Sequence, residues 1–366
     1  MTLREKWENL LPGQYSMMPV QYLREKFAPV LTDDTLFVVS NVLPTPELAA
    51  AIRSLAHGSA LFAGERFVAM RGNLAMLEES AFERVGYLGE VDAIDYVFDI
   101  FRHNPAQILA DYKRITRGRV SEPLPDHCLF IGPHRLEDGS PSLFIEKGAT
   151  LTACTVNVTD GPIYIGENVT VMEGASLRGP LAICSDSKVK MGARLYGGST
   201  FGPYCKVAGE IDNTVIFGYS NKAHDGYLGN AVIGEWCNIG AGTNASNLKN
   251  DYSKIRIWNY PRRTFMRTDL QFCGLIMADH SKAGINCMFN TATVVGVGCN
   301  IHGAGFPRVF LPSFSEGSPA GGFTDVPLKK FYDIAARVMA RRGVPLTDVD
   351  RRIFESVYEV ASSYKR

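Results

Sequence analysis

Apolar residues recur every six positions through the middle of this 366-residue chain. In the longest unbroken run, the bulky apolar positions are Ile165, Val171, Leu177, Ile183, Val189, Leu195, Phe201 and Val207. A second and mostly small residue follows four positions after each: Val169, Ala175, Leu181, Ser187, Ala193, Ser199, Cys205 and Ile211. The bulky phase returns at Tyr227, Ile233, Ile239 and Ala245, and again at Met277, Ala283, Phe289, Val295 and Ile301. A six-residue period is a signature of a parallel β-helix.

Each six-residue unit predicts one short strand followed by a turn, and three units make a coil of about 18 residues. No coil buries its apolar residues alone, so stacked coils share one continuous core. The frequent Gly and Asn residues between the apolar positions suit turns with positive φ. We predict a β-helix over residues 145–305, with an inserted loop over 248–272 where the phase is lost. Eight units in phase argue against the alternative, a sandwich of irregular short strands.

The regions that flank the repeats have ordinary helix and strand patterns. We predict a partial α/β domain over residues 1–120 and a proline-rich connection over 121–144. Within the first domain we expect strands at 35–40 and inside 61–70, and helices at 4–11, 46–55, 91–101 and 105–115. Thr45 is the expected N-cap of the second helix, with Pro46 at its first position. Residues 306–366 are expected to form a loop and two amphipathic helices, which suits the capping of a solenoid end.

The composition of the chain indicates which binding partners and which cellular compartment to expect. The chain has 38 basic and 38 acidic residues, so its net charge gives no general attraction to nucleic acid or anionic membranes. The charged N-terminus lacks an apolar core, and no run of about 18 apolar residues occurs, which predicts a cytoplasmic protein without membrane contact. Four of the eight cysteines, at 205, 237, 287 and 299, occupy the small-residue position and are expected to be packing residues. No C-x-x-C pair or other ligand spacing predicts a metal site.

One segment, residues 221–247, carries the candidate chemistry: N-K-A-H-D-G-Y-L-G-N-A-V-I-G-E-W-C-N-I-G-A-G-T-N-A-S-N. It resembles the acetyltransferase half of the GlmU-like family, whose bifunctional enzymes acetylate glucosamine-1-phosphate and then uridylylate it. That family has K-A-x-H-x-x-Y-L/I-G-D followed by N-I-G-A-G-T. The resemblance implies a left-handed β-helix and a homotrimer with active sites between subunits. It also implies acetyl-CoA as co-substrate.

Site residues follow from this resemblance position by position. His224 matches the catalytic base, and imidazole is suited to accept a proton from an attacking amine near neutral pH. Residues that match positions holding the acceptor or the thioester are Tyr227, Asn238, Asn247, Ala241 and Gly242, the last two beside acetyl-CoA. Arg194 and Lys254 are the candidate cations for a sugar phosphate. Backbone N–H groups in the turns are candidates to hold the developing oxyanion.

The chain departs from the family pattern around the expected sugar site. Arg194-Leu-Tyr-Gly-Gly stands where the family has R-L-R-P-G, so one cation is missing. Residues 210–213, Glu-Ile-Asp-Asn, stand where a phosphate-binding lysine is expected. Lys222 lies one position closer to the histidine than the family's lysine, and Asn230 replaces an aspartate. These changes indicate an acceptor site that differs from the one for glucosamine-1-phosphate.

The whole chain resembles a group of two-domain proteins of the same family, in which a sugar-nucleotidyltransferase-like domain precedes the β-helix. Typical stretches are Gly218–Gly229, Trp258–Pro261 and Gly303–Arg308. A nucleotidyltransferase domain opens with a Gly-rich loop that cradles phosphates. Residues 1–120 contain no such loop with a basic residue, so this domain is either N-terminally short or degenerate, and no nucleotidyltransferase residue is assigned in it.

Three functions therefore compete. The first is transfer of an acetyl group from acetyl-CoA to an amino sugar phosphate or nucleotide sugar, with His224 as general base. The second is a sugar-1-phosphate nucleotidyltransferase that uses UTP or dTTP with Mg²⁺, in which the β-helix serves assembly. The third is a non-catalytic scaffold that kept the fold and lost the chemistry.

Overall fold

A computed structural model describes residues 1–365, which divide into two units, Met1–Asp99 and the chain from Ile100 onward. No helix within these residues is long and apolar enough to cross a membrane.

The first unit is an α/β structure built on a four-stranded sheet. Its elements are α1 Leu3–Leu10, a 3₁₀ turn Gln21–Leu23, β1 Thr35–Val38, α2 Pro46–Arg53, β2 Ser59–Ala63, β3 Arg66–Gly72, α3 Leu74–Glu78 and β4 Glu83–Gly86. The strand order in the sheet is β1-β3-β2-β4, with β3 antiparallel to β1 and β2, and β4 parallel to β2. The predicted α/β character of the N-terminal region is confirmed.

Helix α2 begins where its sequence predicts. The Thr45 hydroxyl accepts a hydrogen bond from the Leu48 N–H at 3.1 Å, and Pro46 takes the first helical position. This cap satisfies one of the N–H groups that a helix start leaves without a partner. Leu48 and Ile52 then bury their side chains in the core of this unit.

The prediction of two helices over 91–101 and 105–115 is wrong, because one helix, α4 Asp99–Thr116, contains Pro105 in its interior. A proline there removes the N–H that would bond the carbonyl four residues earlier, at Phe101. The Asn213 amide group, oriented by its neighbours, instead donates to the Phe101 carbonyl at 3.1 Å. Before the helix, the Asp99 carboxylate accepts from the N–H groups of Asp95 and Tyr96.

The second unit contains a β-solenoid of about ten turns, which confirms the fold class predicted from the six-residue period. Its strands form three sheets, which we call faces 1, 2 and 3 in the order of their strands from Leu143 onward. Face 1 contains Leu143–Ile145, Ile163–Ile165, Leu181–Ile183, Ser199–Phe201, Val215–Ile216, Val232–Ile233, Ile276–Met277, Val294–Val295 and Phe310–Leu311.

Faces 2 and 3 complete each coil. Face 2 contains Thr150–Leu151, Thr170–Val171, Lys188–Val189, Lys206–Val207, Asn221–Lys222, Asn238–Ile239, Lys282–Ala283, Asn300–Ile301, Ser315–Ser318 and Gly322–Asp325. Face 3 contains Leu129–Ile131, Thr155–Asn157, Ser176–Arg178, Arg194–Leu195, Glu210–Asp212, Tyr227–Gly229, Asn244–Ala245 and Met288–Phe289. Pairing is parallel throughout, except that Gly322–Asp325 turns back on Ser315–Ser318.

Side chains at the periodic positions point inward and form one continuous core. The cysteines predicted as packing residues are buried free thiols in it. The predicted phase is wrong at Tyr227, however, because Leu228 is the buried residue of that strand. Leu228 lies five residues before Ile233, the inward residue of the following face 1 strand, so counting back six positions from Ile233 falls on Tyr227. Coil length has already changed before this point, where the turn between faces 2 and 3 shortens to Ala208 and Gly209. Gly209 has φ +76°, and an added Cβ would lie 2.6 Å from the Gly226 carbonyl oxygen.

The solenoid carries one insertion and a helical C-terminal segment. Between Leu248 and Phe272, which form a β-bridge, the chain makes an antiparallel hairpin of Arg256–Asn259 and Thr264–Arg267. Helices α5 Leu328–Ala340 and α6 Asp348–Ser362 follow the last strand. Their aromatic residues pack in a separate cluster around Phe314 and Phe331.

Candidate functional site

His224 lies in the turn that leads from face 2 to face 3. Its side chain is exposed, and among residues 1–365 no side chain holds its imidazole ring. The backbone of the turn is held instead from inside the coil. The Lys222 ammonium group donates to the carbonyl oxygen of His224 and, at 3.1 Å, to that of Asp225.

Lys222 occupies a core position that the neighbouring coils fill with apolar residues. It is in register with Val207 on one side and Ile239 on the other, and it is 1% exposed. Burial lowers the pKa of its ammonium group to about 8, with Asp225 opposing the shift and Arg194 adding to it. A buried ammonium is tolerated only when its donors are used, and here the two turn carbonyls accept them.

A hydrogen-bonded group of side chains lies just beyond the turn on face 3. The Asn247 amide donates to the Tyr227 hydroxyl at 2.9 Å and to the Asn230 side-chain oxygen at 2.8 Å. The Tyr227 N–H is held by the Asn244 side chain at 2.8 Å. Burial first, and the charge of Asp212 second, raise the pKa of Tyr227 to about 12, so this phenol is a hydrogen-bonding group and not a base.

Charged residues continue this surface toward earlier coils. Arg194, Glu210 and Tyr227 are aligned on adjacent strands of face 3, and the Arg194 Nε lies 3.7 Å from Glu210 Oε2. Asp212 is half-buried next to Tyr227. Burial and, secondarily, the Glu210 charge raise the pKa of Asp212. The Arg194 cation is therefore offset by the carboxylates of Glu210 and Asp212.

The N-terminal part of α4 supports this region from the side. The Asn104 amide donates to the Gly198 carbonyl at 2.7 Å, and its oxygen accepts from the Thr200 hydroxyl at 3.0 Å. Asn213 accepts from the Asn230 amide at 2.9 Å while it donates to the helix. A chain of amides thus connects α4 to the Asn247 and Tyr227 group.

Ala241 and Gly242 lie one coil beyond His224. The Gly242 N–H donates to the Asp225 carbonyl at 3.0 Å, which stacks the two turns directly. Gly242 has φ +70°, and an added Cβ would lie 2.0 Å from the Asn286 side-chain oxygen, so only glycine suits this position.

The remaining candidates lie apart from this group. Asn238 is exposed on the outer side of face 2, where its side-chain oxygen accepts a long contact of 3.5 Å from Asn221. Lys254 is in the insertion, and its ammonium donates to the Asp269 carbonyl at 2.5 Å. The structure thus gathers His224, Tyr227, Asn247, Ala241 and Gly242 in neighbouring turns, with Arg194 two strands from Tyr227.

Lys222, Asn230 and Asp212 belong to this region, although no catalytic or binding role is predicted for them from the sequence. A signal existed for Lys222, since a lysine stands six positions before Leu228 in the apolar phase. The sequence marked Asn230 only as a replacement of the family's aspartate, and its hydrogen bond with Asn247, seventeen residues away, is visible only in the fold.

The fold and the sequence together define the class of this protein. Residues 1–120 match the family model described as sugar nucleotidyl transferase, and the solenoid that follows has hexapeptide repeats. The chain is a distant homologue of bifunctional GlmU proteins.

Individual relatives show how far this likeness extends. The Bifunctional protein GlmU of Trichormus variabilis is 28% identical over 183 residues, which cover 46% of this chain and 40% of that protein. The GlmU of Rippkaea orientalis is 38% identical over 92 residues, or 23% of this chain and 18% of that protein. The chain thus spans less than half the length of the curated relatives it matches.

Among solved structures, the UDP-N-acetylglucosamine acyltransferase of Francisella novicida aligns at 14% identity. The alignment covers 66% of this chain and 76% of that one, with a TM-score of 0.34.

Proposed function

We propose that this protein transfers an acetyl group from acetyl-CoA to the amine of an amino sugar phosphate or nucleotide sugar. The observation that carries the proposal is the exposed His224 turn, held by Lys222 from inside the coil and adjacent to the Tyr227 and Asn247 group. A base of this kind needs an accessible ring on a fixed backbone.

In the proposed reaction, the amine nitrogen of the acceptor attacks the thioester carbonyl carbon of acetyl-CoA. His224 takes the proton that the nitrogen loses. The tetrahedral intermediate then collapses, the C–S bond breaks, and the CoA thiolate leaves and receives a proton from the imidazolium. Tyr227 and Asn247 bind the acceptor, while the thioester lies against the turn of Ala241 and Gly242 one coil away.

The surroundings of Tyr227 bear on the acceptor. Glu210 and Asp212 lie where a phosphate would meet negative charge, with Arg194 as the adjacent cation. We therefore favour an acceptor whose ammonium or hydroxyl groups face these carboxylates. Its phosphate would lie elsewhere, with Lys254 and Asn238 as candidate contacts from a neighbouring subunit of a homotrimer.

The test is release of CoA thiol from acetyl-CoA, with glucosamine-1-phosphate and UDP-glucosamine as separate acceptors. His224→Ala should reduce turnover by about 10²–10⁴-fold, the usual contribution of a general base. The melting temperature should hardly change, because the ring makes no contact that stabilises the fold. His302→Ala, another exposed histidine after a face 2 strand, is the matched control and should retain activity.

Full turnover by the His224 variant would exclude this mechanism. Absence of thiol release by the wild type with every acceptor would favour the scaffold hypothesis. The trimer is tested separately, by light scattering of the purified protein.

A second function, sugar-1-phosphate nucleotidyl transfer, is favoured by the family match over residues 1–120. It would need Mg²⁺, yet residues 1–365 contain no cluster of three His, Cys, Asp or Glu side chains able to hold a metal ion. Asp34 and Asp95 of the first unit are each paired with an arginine. Pyrophosphate release from UTP or dTTP with a sugar-1-phosphate, undiminished by His224→Ala, would support this function.

A further inference from the structure

The outer side of face 2 carries a cluster of basic residues. Lys188 and Lys206 are directly opposite each other on adjacent parallel strands. Lys190 follows on the same side of the first of these strands, since alternate residues of a strand share a face. Three ammonium groups therefore lie on two neighbouring rungs of the solenoid.

Helix α5 adds two guanidinium groups to the same place. The Phe331 ring packs against His280 with ring centroids 5.6 Å apart, so the start of the helix is anchored several coils away. At the other end of α5, Arg342 donates to the Tyr204 carbonyl at 3.3 Å. Arg341, the residue that ends the helix, accompanies it. We call Lys188, Lys190, Lys206, Arg341 and Arg342 the basic surface.

Electrostatics makes this arrangement costly for the protein alone. Like charges directly opposite on neighbouring strands are destabilising. Within residues 1–365, none of the five residues forms an ion pair with a carboxylate. Burial lowers the pKa of Lys206, and the next causes are the positive charges of Arg342 and Lys188. The largest charges that act on this lysine, from face 2 and from α5, are positive.

The dipole of helix α5 stabilises only some of the positive charges of the basic surface. Cations near a helix C-terminus are favourable, which accounts for Arg341 and Arg342. The three lysines belong to strands, whose net dipoles are small. A bound anion that contacts strands and helix together would offset the repulsion among all five residues.

An aromatic stack ends beside the basic surface. The rings of Tyr204, Tyr219 and Trp236 occupy successive coils, with centroids 5.2 and 4.1 Å apart. Asp186 lies at the same corner of the preceding coil, so the aromatic stack ends at Tyr204. Tyr204 is 37% exposed. A flat ring next to clustered cations suits a base joined to phosphates.

We propose that the basic surface binds the pyrophosphate group of a nucleotide-type ligand. Lys188, Lys206 and Arg342 contact the phosphate oxygens, and Tyr204 offers its ring to the base. CoA and a nucleoside triphosphate both contain this chemistry. The site does not include His224 and does not depend on the proposed acetyl transfer.

Calorimetric titration at low salt tests the proposal, with sodium pyrophosphate first and then CoA and UTP in separate arms. Wild type should bind pyrophosphate saturably, one per chain, and more weakly as salt is added. The double variant Lys188→Gln/Lys206→Gln should bind at least about tenfold more weakly, because two charge-assisted hydrogen bonds are lost. If the double variant also binds CoA more weakly, the pyrophosphate group of CoA is the natural ligand. If it binds UTP more weakly instead, the natural ligand is a nucleotide.

Lys147→Gln/Lys329→Gln removes the same charge from two exposed lysines elsewhere and is the matched control. Equal weakening by this control would overturn the proposal, since a diffuse attraction would then suffice. So would unchanged binding in the Lys188/Lys206 variant. If that variant changes the oligomeric state and pyrophosphate fails to bind wild type, the surface is a subunit contact and the proposal is wrong. His224→Ala should bind pyrophosphate normally, which separates this test from that of acetyl transfer.

Discussion

The coils before Val207 and those from Val207 to Asn247 share one architecture but differ in regularity. Val171, Val189 and Val207 follow one another at eighteen-residue intervals on face 2. The next inward residue of that face, Lys222, comes only fifteen residues later. The regular coils bury apolar side chains, while the shortened coils bury an ammonium group and expose the His224 turn. The repeat thus supplies rigidity, and its interruption supplies the candidate chemistry.

The largest expected effect concerns the regular coils. Phe201 is fully buried in the solenoid core. Phe201→Ala should reduce the free energy of unfolding by about 3–5 kcal/mol, through lost transfer energy and a cavity. Denaturant titration measures it, with Phe201→Leu as the control that retains most of the volume. A loss below about 1 kcal/mol would mean that these coils are not the rigid region.

A glycine in the shortened coils should be nearly as sensitive. Gly226 has φ +124°, and an added Cβ would lie 2.0 Å from the Thr243 carbonyl oxygen. Gly226→Ala should cost about 2–3 kcal/mol of unfolding free energy, since strain and a backbone clash combine. Gly192, with φ +67° and open space around its Cβ position, is the regular-coil control and should cost about 1 kcal/mol as alanine. Equal losses at both positions would contradict this distinction.

The buried ammonium predicts a pH dependence of stability. The folded pKa of Lys222, about 8, is lower than the ordinary lysine value of the unfolded chain. Between these values the unfolded state binds more protons, so the Lys222 contribution to stability rises from pH 8 to 10. Lys222→Met removes that rise and keeps the fold.

Urea unfolding of both proteins at pH 7, 8, 9 and 10 measures the difference, in which other titrating groups cancel. If the free energy of unfolding of wild type and of Lys222→Met changes with pH in the same way, the folded pKa of Lys222 is not lowered. In an acetyl-transfer assay, the same variant should lower kcat more than it raises KM, because the turn with His224 loses its support.

The smallest stability effects are expected for two exposed ion pairs. Arg178 pairs with Asp160 inside the regular coils, and Arg194 with Glu210 where the shortened coils begin. Each arginine replaced by Gln should change the free energy of unfolding by less than about 0.5 kcal/mol, since exposed pairs contribute little. Only Arg194→Gln should raise KM for the acceptor. An equal change in KM for both variants would remove Arg194 from the proposed site.

Several features were predictable because they are encoded locally. The six-residue period predicted the solenoid, and Thr45 with Pro46 predicted the start of α2. The continuation of α4 past Pro105 was not predictable, because the side chain that donates a hydrogen bond to the Phe101 carbonyl belongs to Asn213, far along the chain. The phase failed at Tyr227 because the inward residues Leu228 and Ile233 are five positions apart instead of six, and only the stacked coils reveal which residue then faces inward.

The sequence by itself therefore determined the architecture, since strand, turn and core positions repeat within six neighbouring residues, while the candidate histidine came from a resemblance to a known family. Only the tertiary structure decided what surrounds that histidine. The interior position of Lys222, the link from Asn247 to Tyr227 and Asn230, and the meeting of α5 with face 2 all join residues from different coils. Such contacts depend on coil length and stacking, and these are properties of the whole solenoid.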